Sequence, residues 1–148
     1  MNNVSVRFME EKDVEEVFEV ERKCFTTPWS KESFLQEIKN ELAIYVVIEN
    51  KEKIIGYGGM WKIVDEGHIT NIAIDPIYRK KGYGDKIVKA LIQVAKEEKI
   101  NSMTLEVRDS NEAAKSLYEK NGFYSCGVRQ KYYEDNGEDA VIMWAEFK

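Results

Sequence analysis

The sequence predicts an α+β domain, a mixed seven-stranded sheet with helices on both faces. Three observations predict it. Apolar residues alternate with period two in several short segments and recur at helical spacing in others. The segments follow one another in the order β-α-α-β-β-β-α-β-α-β-β, with helices both before and within the run of strands. No repeat, low-complexity tract or Pro/Gly/Ser linker interrupts the 148 residues, which contain only two prolines, so residues 1–148 read as one domain.

Each element has its own signal. Val4, Val6 and Phe8 alternate with polar residues, which predicts a first strand. Val14, Val17 and Phe18, then Glu21, Cys24 and Phe25, follow helical spacing and predict a helix over residues 13–25. Thr26-Thr27-Pro28-Trp29 breaks the chain. Ser30 is a good N-cap for a second helix, with Trp29 and Phe34 placed to clasp its start and Phe34, Leu35 and Ile38 as its apolar side. Residues 43–48 read as a buried strand and 50–53 as a tight turn. Residues 54–64 read as a strand that Gly56, Gly58 and Gly59 weaken or bulge. After a turn at residues 65–67, a strand over 68–75 ends at Pro76. Ile87, Val88, Leu91, Ile92 and Ala95 mark a strongly amphipathic helix. Residues 101–108 form a strand, and 111–120 a short helix closed by Asn121-Gly122. Two last strands, 123–133 and 139–147, join through a turn at Asn136-Gly137.

Composition narrows the function. The chain is 43% hydrophobic and 33% charged, as a globular protein is, and no apolar run nears the roughly 18 residues that span a bilayer. The N-terminus shows no signal-peptide pattern, so the expected location is cytoplasmic, with no membrane partner. A net charge of −5 argues against nucleic acid and suits a cationic small molecule or peptide. Cys24 and Cys126 are the only cysteines and His68 the only histidine. A structural zinc site needs about four such ligands, so no metal is expected. Both thiols, among apolar neighbours, are expected to be buried and inert.

One segment calls for an explanation. Arg79-Lys80-Lys81-Gly82-Tyr83-Gly84 lies between a strand and a helix. The helix dipole disfavours cations at an N-terminus by about 0.3–1 kcal/mol each. An anion received there resolves the conflict, because Gly82 and Gly84 let backbone N–H groups approach a phosphate. The loop is neither a P-loop nor a Rossmann fingerprint. Taken alone, it reads equally as a solvated basic turn.

The neighbouring residues give that anion an identity. Ile72-Ala73-Ile74-Asp75-Pro76 followed by Arg79-x-x-Gly82-x-Gly84 resembles the coenzyme A motif of the GNAT N-acetyltransferase superfamily. Asn111-Glu112-Ala113-Ala114-Lys115-Ser116-Leu117-Tyr118, then Gly122-Phe123, resembles that superfamily's next motif. The resemblance spans nearly the whole chain and implies the GNAT fold, with a mostly antiparallel sheet, and acetyl-CoA as donor. A narrower resemblance is to the ribosomal-protein-alanine N-acetyltransferases. It rests on Phe25-Thr26-Thr27-Pro28-Trp29-Ser30, on Leu105-Glu106-Val107-Arg108, and on Arg129-x-x-Tyr132-Tyr133 with Glu138-Asp139-Ala140 and Met143. It implies transfer to the N-terminal amine of a ribosomal protein.

Chemistry and resemblance then suggest roles. An α-amine has a pKa of about 7.7–8.0, so a carboxylate must help to keep the nucleophile neutral. Glu106 lies on the strand face opposite Met103, Leu105 and Val107, where partial desolvation suits a base; its residues alone read equally as an exposed carboxylate paired with Arg108. The resemblance makes Glu106 the general base. It makes Tyr118, otherwise a packing tyrosine, the general acid for the leaving thiolate. It further implies that Ile72, Ala73 and Ile74 pair with the pantetheine arm, that Arg79, Lys80, Lys81, Gly82, Tyr83, Gly84 and Asp85 hold the pyrophosphate, and that Asn111 and Tyr118 touch the coenzyme. Phe25, Trp29, Tyr132 and Tyr133 would line the acceptor groove, although Tyr132 and Tyr133 also read as a cross-strand aromatic pair. His68 is expected to be structural, opening a strand away from the cleft. Two alternatives stay open: an acceptor that is a small amine such as a polyamine or an antibiotic, and a domain that binds acyl-coenzyme A without turnover.

Overall fold

Strand pairing organises the molecule around one seven-stranded sheet in the order β1-β2-β3-β4-β5-β7-β6. The computed structural model describes residues 4–25 and 27–147. The leader reading of residues 1–3 and the part of the acceptor loop at Thr26 lie outside them.

The strands are β1 (Val4–Phe8), β2 (Ala43–Asn50), β3 (Lys53–Ile63), β4 (Glu66–Ile74), β5 (Ser102–Arg108), β6 (Tyr124–Arg129) and β7 (Ala140–Glu146). All neighbours pair antiparallel except β4 and β5, which run parallel. The helices are α1 (Val14–Cys24), α2 (Lys31–Ile38), α3 (Tyr83–Glu97) and α4 (Glu112–Lys120). Element order, sheet type and helices on both faces match the sequence reading.

Alternation along the strands separates two cores. Ile48, Ile55, Met60, Ile69, Met103, Leu105 and Met143 point to one face and pack beneath α3, whose Ile87, Val88, Leu91 and Ala95 are buried. Val47, Tyr57 and Ala73 point to the other face and meet Val14, Val17 and Val20 of α1 and Phe34 of α2. Ser30 caps α2 by accepting from Ser33 N–H at 3.1 Å, and Trp29 packs on Phe34 with ring centroids 5.5 Å apart, as expected. Such a cap contributes about 1 kcal/mol. Gly58 and Gly59 do more than weaken β3. A Cβ on Gly58 would stand 2.4 Å from Ile87, and one on Gly59 2.1 Å from the Tyr45 ring, so their smallness lets α3 and Tyr45 reach the sheet.

Several boundaries differ from the sequence reading. β4 starts at Glu66, because the preceding turn is made at Val64, whose φ is 58°. The last hairpin is shorter: β6 stops at Arg129, since Lys131 adopts a left-handed φ of 52° and its N–H turns to Asp139. Cys24 is half-buried, but Cys126 is exposed, because β6 is an edge strand.

Candidate active site

The parallel pairing of β4 and β5 covers only Glu66↔Ser102, Gly67↔Met103 and His68↔Thr104. Beyond it β4 continues to Ile74 and β5 to Arg108 without pairing, so the sheet opens in a wedge. A wedge leaves backbone N–H and C=O groups along its edges for an extended ligand. Ile72, Ala73 and Ile74 lie on one edge, Glu106 and Arg108 on the other.

The face carrying α3 holds the anion loop. Lys80 and Gly82 are left-handed, with φ of 65° and 82°, and Gly82 is the N-cap of α3. Among the described residues, the backbone N–H groups of residues 80–85 have no protein acceptor. Lys80 and Lys81 are exposed. Free amides at the positive end of a four-turn helix, beside two cations, fit a pyrophosphate. The other cofactor residues divide. Arg79 folds back, donating from Nε to the Ile74 carbonyl at 3.1 Å and from its terminal nitrogen to Cys24 Sγ at 3.2 Å, so it braces the loop. Asp85 accepts from Lys89 and Asn121 and is held below the usual carboxylate range, first by Lys89. Its side chain ties α3 to the end of α4, leaving the amide for a ligand. Asn111 Oδ1 caps α4 by accepting from Ala114 N–H at 3.0 Å.

Tyr118 also lies on this face. It is 8% exposed, with its ring edge-on to Phe123 at 5.6 Å. Burial, with Tyr133 nearby, pushes its phenol well above the ordinary value, so it stays protonated.

Glu106 lies on the opposite face. Its side chain is 12% exposed, and Oε2 accepts from His68 Nε2 at 2.7 Å. Arg129 Nε stands 3.8 Å from Oε1. The expected alternative partner, Arg108, instead pairs with Asp135 at 2.9 Å and Glu138 at 3.3 Å. The expectation that His68 lies away from the cleft is thus overturned. The β4–β5 register sets it beside Thr104, on the same face as Glu106 and one strand away.

Two loops wall this face. Buried Glu21 of α1 accepts from Trp29 N–H at 3.0 Å and from the Tyr57 hydroxyl at 2.6 Å, which fixes the α1–α2 connection. Asn71 of β4 donates to the same hydroxyl at 2.6 Å. Phe25 is exposed and caps α1. Tyr132 and Tyr133 are consecutive loop residues packed edge-on at 5.1 Å, not a cross-strand pair. The Arg108 guanidinium lies 4.0 Å from the Tyr133 ring centroid and so ties this loop to β5. Burial pushes the Tyr133 phenol up to about 12, against the pull of Arg108. Sequence reasoning missed Glu21, Asn71 and His68. A buried acid on an apolar helix side was the visible signal for the first; the others needed the register.

Comparison with known proteins shows similarity over most of the chain. The profile of the Acetyltransferase (GNAT) family matches residues 14–123. A Bacillus subtilis (strain 168) protein named putative ribosomal protein bS18-alanine N-acetyltransferase is 44% identical over 95% of this chain and 93% of its own length. The ribosomal protein bS18-alanine N-acetyltransferase of Escherichia coli (strain K12) is 32% identical over 97% of this chain and 96% of its own. The crystal structure of the ribosomal-protein-S18-alanine N-acetyltransferase from Escherichia coli superposes with a TM-score of 0.89 at 30% identity, covering 97% of this chain and 93% of that one. A wedge in the sheet, an amide-lined basic loop and this breadth of similarity together identify the chain as a member of the GNAT acetyltransferase family, an acetyl-CoA-dependent N-acetyltransferase.

Proposed function

We propose that this enzyme acetylates the N-terminal α-amine of a protein, and that its acceptor is the N-terminal alanine of ribosomal protein bS18. One observation carries the chemistry: Glu106 lies on β5 beyond the end of its pairing with β4, and Tyr118 lies in the core on the other face of the sheet. The donor thioester reaches the wedge from the α3 face and the amine from the α1–α2 face, so the two substrates meet in the gap. The names of the B. subtilis and E. coli relatives support this acceptor. An acceptor of that kind places the activity in the cytoplasm.

In this reading the amides of residues 80–85 hold the pyrophosphate, and the free edge at Ile72, Ala73 and Ile74 pairs with the pantetheine arm. Glu106 takes one proton from the acceptor ammonium. The neutral nitrogen attacks the thioester carbonyl, forming C–N, while the C–S bond breaks. Tyr118 gives its phenolic proton to the sulfur and is reprotonated as the new amide nitrogen loses its second proton. The proton on Glu106 leaves to solvent. No covalent enzyme intermediate is required. Phe25, Trp29, Tyr132 and Tyr133 line the acceptor's path.

The test is thiol release from acetyl-CoA in the presence of short peptides. Turnover with a free N-terminal alanine and none with its blocked counterpart is expected. Turnover with polyamines but no peptide would move the acceptor to small amines. Tight binding of acetyl-CoA without turnover of any amine would leave a sensor.

A further inference from the structure

We propose that His68 is a positioning residue for the reaction, fixing the Glu106 carboxylate toward the acceptor amine. The inference rests on the reading of Glu106 as base. A carboxylate only accepts hydrogen bonds, so in this pair Nε2 carries the hydrogen and donates it to Oε2 at 2.7 Å. The placement is set by the backbone. His68↔Thr104 is the last register pair before the wedge, so the imidazole is anchored at its vertex and reaches two residues further along β5, to the next side chain on the same face, Glu106.

The groups facing this carboxylate divide their tasks. Oε2 is held by His68. Oε1 has the Arg129 guanidinium at 3.8 Å, beyond hydrogen-bond distance and carried on an exposed side chain, and the Tyr133 phenol lies close enough to feel the charge of Glu106. The Thr104 hydroxyl, on the same strand face, is committed to the Met143 carbonyl at 2.9 Å. Glu106 therefore has one oxygen fixed by a rigid two-torsion ring and one left for the incoming amine. Without His68, a three-torsion glutamate is free to sample other staggered rotamers.

The experiment measures kcat and both KM values with acetyl-CoA and an alanine-terminated peptide. His68→Ala should lower kcat about 10- to 100-fold, the size of effect expected from a misdirected group, with KM for acetyl-CoA unchanged. His68→Gln should recover most of the loss, since its amide donates from nearly the same place. In a Glu106→Gln background His68→Ala should cost nothing further. Wild-type kcat for His68→Ala beside an impaired Glu106→Gln overturns the inference, and so do losses that multiply in the double variant. Wild-type kcat for Glu106→Gln removes the base itself, a separate failure. Should His68→Ala melt early, His68→Phe keeps the ring without the donor and carries the same test.

Discussion

At the scale of residues, burial decides how the candidate acid Tyr118 can act. Tyr118 is enclosed by the α3 and α4 core, and its phenol is raised well above its ordinary value, chiefly by desolvation. That keeps it protonated at any working pH. It also makes it a weaker acid than the coenzyme thiol it must supply, whose pKa is about 8.5. Proton transfer to the departing sulfur alone would therefore run uphill, so in the proposed mechanism it is coupled to reprotonation of the phenol by the new amide nitrogen. General acid catalysis typically contributes about 10²–10⁴-fold. A mismatched acid belongs at the low end, so Tyr118→Phe should lower kcat by roughly 100-fold while hardly changing KM for acetyl-CoA. A kcat within about twofold of wild type would leave Tyr118 as packing against Phe123. Much of this site was legible in single residues. The anion loop announced itself because three cations at a helix start conflict with the dipole, whereas Glu106 keeps step with the alternation of its strand and is singled out only by the family resemblance. The partner of Glu106 was not legible. His68 lies 38 residues away in sequence, and only the strand register brings it close.

At the scale of elements, the working feature is where two strands stop pairing. The wedge needs β4 to stay straight and anchored on its other edge, which is the task of β3. Gly58↔Ile72 and Gly59↔Asn71 bind β3 to the part of β4 that lines the wedge, and the register shifts just after, at Met60. The sequence flagged these glycines as a weak point of the strand. The structure makes them the place where Tyr45 and α3 come closest to the backbone, a relation between distant segments that alternation alone cannot reveal. Adding a methyl at Gly59 puts it 2.1 Å from the Tyr45 ring, which must then move and strain its 3.3 Å bond to Thr70. Overpacking of this kind costs about 1–3 kcal/mol. Gly59→Ala should lower the urea midpoint by that free energy divided by m, at an unchanged m-value. A stability equal to wild type would show that Tyr45 has room to yield. The hairpin boundaries failed for a related reason. Lys131 carries no sequence mark of its left-handed backbone, which is set by the bond of its N–H to Asp139.

At the scale of the whole molecule, α1 is held at both ends by carboxylates whose charge the fold favours. At its start, Asp13 takes both terminal nitrogens of Arg7 at 2.8 Å and the Glu10 N–H at 2.7 Å. At its end, Lys23 reaches buried Asp75 at 3.1 Å. Burial alone would push both carboxyls up. The bonds from Arg7 and Glu10 in one case, and from Lys23 and the Ile77 N–H in the other, outweigh it and leave both lowered. A carboxyl whose folded pKa lies below its unfolded value of about 3.9 stabilises the fold above that pH, and the contribution disappears as pH falls through the folded value. Stability should therefore be level from about pH 7 to 5 and fall below about pH 4. Because α1 carries Glu21 and, through it, the Trp29 loop, that loss should loosen the acceptor wall first. Asp13→Asn should cost about 1.5–3 kcal/mol at pH 7, the range for a hydrogen bond to a charged group, and should flatten part of the acid decline. Urea midpoints for wild type and variant from pH 3 to 7 check both statements. A variant that declines as steeply in acid as wild type would place the acid sensitivity elsewhere, with Asp75 and Asp85 the next carboxyls to replace.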